Sequence, residues 1–175
     1  MQTRIAILLI AFSALPALAA AQTVQVKAAA SEPAYARAAQ LNKEAVSLYS
    51  DPGRASDAAR LHLQEASSRS WSDPEAVHAL IMAANLYNYA DQPMTARKIM
   101  ERAAERALAI GDVVTAAQAF TNAAFLAHKV SNASETQRLG QKAILLSGSP
   151  LLAEDERATI RGRFRGVSVF AALLK

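Results

Sequence analysis

Cysteine is absent from the 175 residues, which excludes disulfide frameworks, thiol nucleophiles, cysteine metal sites and lipid attachment through an N-terminal cysteine. Glycine and proline number 6 each, too few for the many tight turns of an all-β protein. Aromatic residues make up only 6% although hydrophobic types reach 52%, so much of the apolar content is alanine, the strongest helix former. A dominant charge is also lacking. The chain carries 19 basic and 15 acidic residues, a mild surplus that favours solubility and is no nucleic-acid footprint. Beyond the N-terminus no run is long and apolar enough to span a membrane, the final Val167–Leu174 stretch being too short. The length suits one domain with a real core.

The first residues carry the pattern of a secretory signal. Arg4 supplies a positive n-region, Ile5 to Leu15 is uncharged and apolar, and Ala17-Leu18-Ala19 or Ala19-Ala20-Ala21 offers a small-x-small cleavage site. A retained membrane helix needs roughly 20 apolar residues, and this stretch is shorter and interrupted by Pro16. The expected organisation is therefore a bacterial signal peptide over residues 1–21 and a flexible lead-in over 22–32. A helical repeat domain over 33–166 and an apolar tail over 167–175 complete it. The expected location is the periplasm or the medium.

Helix start signals recur along the repeat region. Ser31, Ser72 before Asp73-Pro74-Glu75, Asp112 after Gly111, and Ser149-Pro150 after Gly148 form one series, stepping by 41, 40 and 37 residues. Asp51, Asp91 and Ser131 form a second, stepping by 40 and 40. Two series sharing one period predict stacked helix pairs, each too small to bury its own apolar face. Val77, Leu80, Ile81, Ala84 and Tyr87 fall on one helical stripe, as do Ala96, Ile99, Met100, Ala103, Ala107 and Ile110. Opposite the latter, Arg97, Lys98, Glu101, Arg102, Glu105 and Arg106 read as a solvated charged row. Ser149 to about Arg165 reads as a seventh helix capping the stack, and the tail beyond it as a segment able to fold back on the last hairpin. The fold class expected is all-α: about three antiparallel hairpins and a C-terminal capping helix in a short right-handed α-solenoid.

Little in the sequence points to catalysis. His62, His78 and His128 never stand three or four apart, and no HExxH, GxSxG, phosphate loop or dinucleotide fingerprint occurs. No metal and no cofactor are expected, and the histidines read as partly exposed. Glu65, Glu75, Glu101 and Glu105 fall on polar helix faces or in first turns, not in the apolar setting that raises a general acid's pKa. The basic stretch Arg161–Gly166 complements a helix C-terminus, and no nucleic-acid partner is expected. Trp71 reads as packing at a hairpin junction.

Leu80, Ala83, Ala84 and Tyr87, followed by Ala96, Met100 and Ala103, resemble the signature of the tetratricopeptide repeat. Flanking units match in part, through Ala59, Leu63 and Ala66 and through Phe120, Ala123 and Ala124, while Thr136 and Gly140 depart from the pattern. The resemblance covers about Pro33 to Ser147. The period exceeds the usual 34 residues or so and also fits HEAT or armadillo pairs. The resemblance implies a concave groove lined by His78, Ile81, Asn85, Asn88 and Tyr89, then by Gln118, Thr121, Phe125, His128 and Lys129. It implies a non-catalytic adaptor that binds a protein or peptide of the cell envelope. Self-association of a structural protein through the ends of a short stack is the alternative, and a cell-wall-acting enzyme a third reading.

Overall fold

The computed structural model describes residues 32–165 and 167–174. The expected signal peptide and the lead-in up to residue 31 lie outside the described residues. The described chain forms α1 (Glu32–Ser47), a short 3₁₀ turn (Pro52–Arg54), α2 (Ala55–Ser68), α3 (Pro74–Tyr89), α4 (Pro93–Ala109), α5 (Val113–Lys129), α6 (Ala133–Ser147), α7 (Glu154–Arg165) and a 3₁₀ segment (Ser168–Leu174). No strand occurs among the described residues. From α1 to α6, each helix packs chiefly on its neighbours in sequence, as in a helical solenoid. No described helix is long and apolar enough to cross a membrane.

Three turns of one kind set the register of the stack. Asp91, Gly111 and Ser131, 20 residues apart, all have positive φ, at 54°, 83° and 56°. In each turn the next residue's N–H reaches back to a carbonyl of the last helical turn: Gln92 to Tyr87 at 2.8 Å, Asp112 to Ala107 at 2.9 Å, Asn132 to Ala127 at 3.0 Å. This is the Schellman arrangement, which satisfies carbonyls left without partners at a helix end. The residue that donates this N–H then starts the following helix. Asp112 accepts from the Thr115 N–H and Asn132 from the Glu135 N–H, so the same residue closes one helix and caps the next. The 40-residue period of the sequence is two such steps.

Asp91 and Ser131, read from the sequence as helix starts, sit in the closing turns, and Gln92 and Asn132 are the caps. Two further boundaries also differ from the sequence reading. The cap of α3 is Asp73, whose carboxylate accepts from the Glu75 N–H at 2.9 Å; Ser72 lies one residue outside. A carboxylate is the better partner for the positive end of a helix, and Asp73 is also held by Arg69. Helix α7 begins at Glu154, not at Ser149. The Ser149 hydroxyl instead accepts from the Leu151 N–H, and Glu156 reaches back to the Ala153 N–H, a local capping interaction that moves the start.

Alanine fills most of the buried apolar positions, among them Ala59, Ala83, Ala84, Ala103, Ala116 and Ala124. Such small side chains let helix axes approach closely. Phe120, Met100, Leu80 and Leu139 fill the gaps between them. At the C-terminal end Phe164 and Phe170 are fully buried, meeting edge to face at 4.7 Å and covering Phe125. The tail therefore folds back as part of the core.

A candidate binding cleft between α3 and α5

Helices α3 and α5 present parallel rows of polar side chains because residues three and four apart share a helix face. Asn85 and Asn88 of α3 meet Asn122, Phe125, Leu126 and Lys129 of α5 around a cleft of about 290 Å³. Met100 of α4 and Leu126, both buried, form its apolar base. The Lys129 ammonium donates to the Asn88 side-chain carbonyl at 3.1 Å and lies 3.9 Å from an Asp91 carboxylate oxygen. Each asparagine amide both donates and accepts, so the rim can match the N–H and C=O groups of an extended backbone. The volume is small for an organic cofactor and suits a side chain or a short stretch of peptide. None of the lining residues is a carboxylate or a histidine.

Of the residues the resemblance assigns to a groove, Asn85, Asn88, Phe125 and Lys129 come together here. His78, Tyr89, Gln118 and His128 are exposed on the same two helices without lining the cleft, and Ile81 is half-buried against the core. Thr121 departs from expectation. It is 0% exposed, and its hydroxyl donates to the Ala117 carbonyl at 2.8 Å, so it has no surface to offer a ligand. Phe125 is shared, stacking on Phe164 at 5.8 Å with Arg163 over its ring. Asn122 was missed. Its signal was present: a polar residue three before Phe125 and seven before Lys129, on the face both occupy.

The charged row of α4 is only partly solvated: Lys98, Arg102 and Glu105 are exposed, whereas Arg97 and Arg106 are buried. Arg97 is 7% exposed and bonds Glu135 at 2.6 Å and Glu101 at 3.3 Å. Arg138 and Lys142 of α6 complete a ladder on Glu101, and Lys142 also reaches Glu105. The Arg138 hydrogen bond holds the Glu135 carboxyl below the usual glutamate range, against a weaker opposing effect of burial. Arg106 turns the other way. Its guanidinium donates to the Trp71 carbonyl at 3.0 Å, to Ala66 at 3.2 Å and to Ser70, closing the end of α2. It also lies 5.0 Å from the Trp71 ring centre; Trp71 stands at the α2–α3 junction as expected but remains 46% exposed and so is only partly packed there.

A second polar cluster occupies the first hairpin, where the sequence suggested only exposed histidine and glutamate. His62 and Glu65 are each 1% exposed, with Nδ1 of the imidazole 2.9 Å from Glu65 Oε2. Asn42 of α1 donates to the same oxygen at 3.1 Å, and Arg69 grips Oε1 at 2.8 Å and 3.1 Å while reaching Asp73. Burial opposes the charge of Arg69, but its bonds to Glu65 and Asp73 outweigh this and raise its pKa. The Tyr49 hydroxyl lies 2.5 Å from His62 Nε2. Burial and the Glu65 charge raise the pKa of this phenol. The pairing of His62 with Glu65 at i,i+3 was the available signal.

In comparisons with known proteins, no family model and no curated protein matches this chain, so the reading of its sites rests on sequence and geometry.

Proposed function

We propose that this chain is a non-catalytic adaptor or assembly factor of the bacterial cell envelope, a tetratricopeptide-like stack that holds a peptide or protein segment between α3 and α5. The observation that carries this reading is the cleft itself: three asparagine amides and one ammonium around an apolar base, suited to holding a backbone, with no acid–base pair in its lining. The tetratricopeptide assignment draws support from Leu80, Ala83, Ala84, Tyr87, Ala96, Met100 and Ala103, all of which are buried. The signal-like residues 1–21 support export. The test replaces Asn85 and Asn88 together with alanine and measures capture of envelope proteins by the tagged chain. The reading expects capture to fall at least about tenfold, the loss of some 1.4 kcal/mol, with the helical spectrum unchanged. Undiminished capture would remove the cleft as the binding site.

Self-association is the second reading, favoured by the wide exposure of Leu145 and Leu151 near the C-terminal end of the stack. Sedimentation over a hundredfold range of concentration decides it, since a constant monomer mass rules it out.

A further inference from the structure

We propose that Tyr49 is a nucleophilic acceptor for an activated acyl group, with His62 as its general base and Glu65 as the residue that positions the base. The site lies in the first hairpin, separate from the α3–α5 cleft, and does not depend on what that cleft binds. Three observations carry it. Tyr49 lies in the turn after α1 and the residue is 41% exposed, which leaves part of it in contact with solvent. Its hydroxyl contacts His62 Nε2 at 2.5 Å. The imidazole is backed at 2.9 Å by a Glu65 carboxylate whose other contacts are all donors, from Asn42 and Arg69.

Those contacts select a tautomer. A carboxylate oxygen accepts, so Nδ1 of His62 carries a hydrogen toward Glu65, and the neutral imidazole then presents the lone pair of Nε2 to Tyr49. Nucleophile, base and orienting carboxylate thus stand in the order used for nucleophilic catalysis. A base is needed here, because burial and the Glu65 charge disfavour the free phenolate. In the step, Tyr49 Oη attacks the carbonyl carbon of the donor while its proton passes to His62 Nε2. The bond from that carbon to the leaving group then breaks, and His62 returns the proton to the leaving group. The products are an O-acyl tyrosine and the free leaving group.

The donor class follows from the charges nearby. Phosphoryl transfer needs cations to take up negative charge spread over several oxygens. Arg69 is committed to Glu65 and Asp73, and Arg54 and Arg60 are paired with Asp57. A neutral acyl donor avoids repulsion from Glu65.

The full chain treated with N-acetylimidazole supplies its own controls. Tyr35 is exposed to the same 41% and Tyr89 to 65%, and neither hydroxyl has a histidine partner among the described residues. Peptide mass spectrometry follows acetylation at each tyrosine. Tyr49 should react at least about 10²-fold faster than Tyr35, the contribution of a positioned base. In His62→Gln or Glu65→Gln it should fall to the Tyr35 rate, with Tyr35 and Tyr89 unmoved. Nitrogen NMR of the imidazole supplies a readout that a merely structural role would not move: Nε2 unprotonated in the wild type, protonated in Glu65→Gln. A Tyr49 rate no faster than that of Tyr35 in the wild-type chain overturns the proposal, whether or not the variants fold. So does preferential labelling of Tyr49 by a fluorophosphonate over N-acetylimidazole, which would make the donor a phosphoryl compound.

Discussion

Arg106 shows how one side chain ties a repeat together. Its guanidinium meets the Ala66 carbonyl in the last turn of α2, the Ser70 and Trp71 carbonyls of the segment that follows, and the Trp71 ring, tying the end of α2 to the start of α3. Burial pulls its pKa below the ordinary arginine value, yet the group stays charged throughout the working range. Replacing Arg106 with methionine keeps the stem and strands the carbonyls. The expected loss is about 3 kcal/mol, read as a lower urea midpoint at constant slope. Arg106→Lys should recover only part of it, because a compact ammonium cannot span three carbonyls. If Arg106→Met left the midpoint unmoved, the arginine would not be tying α2 to α3. The sequence placed Arg106 on a solvated row because a long basic residue four after an arginine follows the pattern of an exposed face. That it reaches the preceding hairpin depends on tertiary packing, which helix periodicity does not encode.

Between elements, the turns and the α4–α6 ladder define the register. Gly111 and Ser131 occupy the same left-handed position in equivalent turns. Nothing lies within 4 Å of a Cβ added at Gly111, so Gly111→Ala isolates the backbone cost, about 1 kcal/mol of destabilisation. Ser131→Gly should stabilise by a similar amount, and thermal melts of the two variants should move in opposite directions. The ladder adds an acid dependence. Glu135 has its folded pKa depressed below 4.5, so the stability it contributes is fully present above that ordinary value and is lost as pH falls through the lower folded value. Glu135→Gln should flatten the decline in unfolding free energy below pH 4.5. An unchanged acid limb would show that Glu135 does not contribute. The helices themselves were legible, since Asp51, Asp112, Asn132 and the prolines at 74 and 93 act where they stand. The stops at Asp91 and Ser131 were not, because a non-glycine residue enters the left-handed region only when the packing of both helices requires it.

For the whole molecule, a core built largely of alanine and contacts running mainly between sequential helices make the fold a one-dimensional stack. Its C-terminal end is closed by Phe164 and Phe170 over Phe125. The apolar tail was readable as a segment that folds back, but not as the partner of Phe125, which lies some 40 residues away in sequence. About half of the candidate cleft was named from the sequence: helix spacing gave the faces of α3 and α5 and could have given Asn122 as well, whereas only packing decided that Thr121 turns inward. The central claim is that this cleft holds a partner from the cell envelope. The most direct measurement places a photo-crosslinking residue at Asn85 in living cells, with a control at the exposed Lys98 of α4, and identifies the products by mass spectrometry. The account predicts one dominant envelope protein from position 85 that is absent from position 98. Identical products from both positions, or capture of the chain by itself alone, would contradict it.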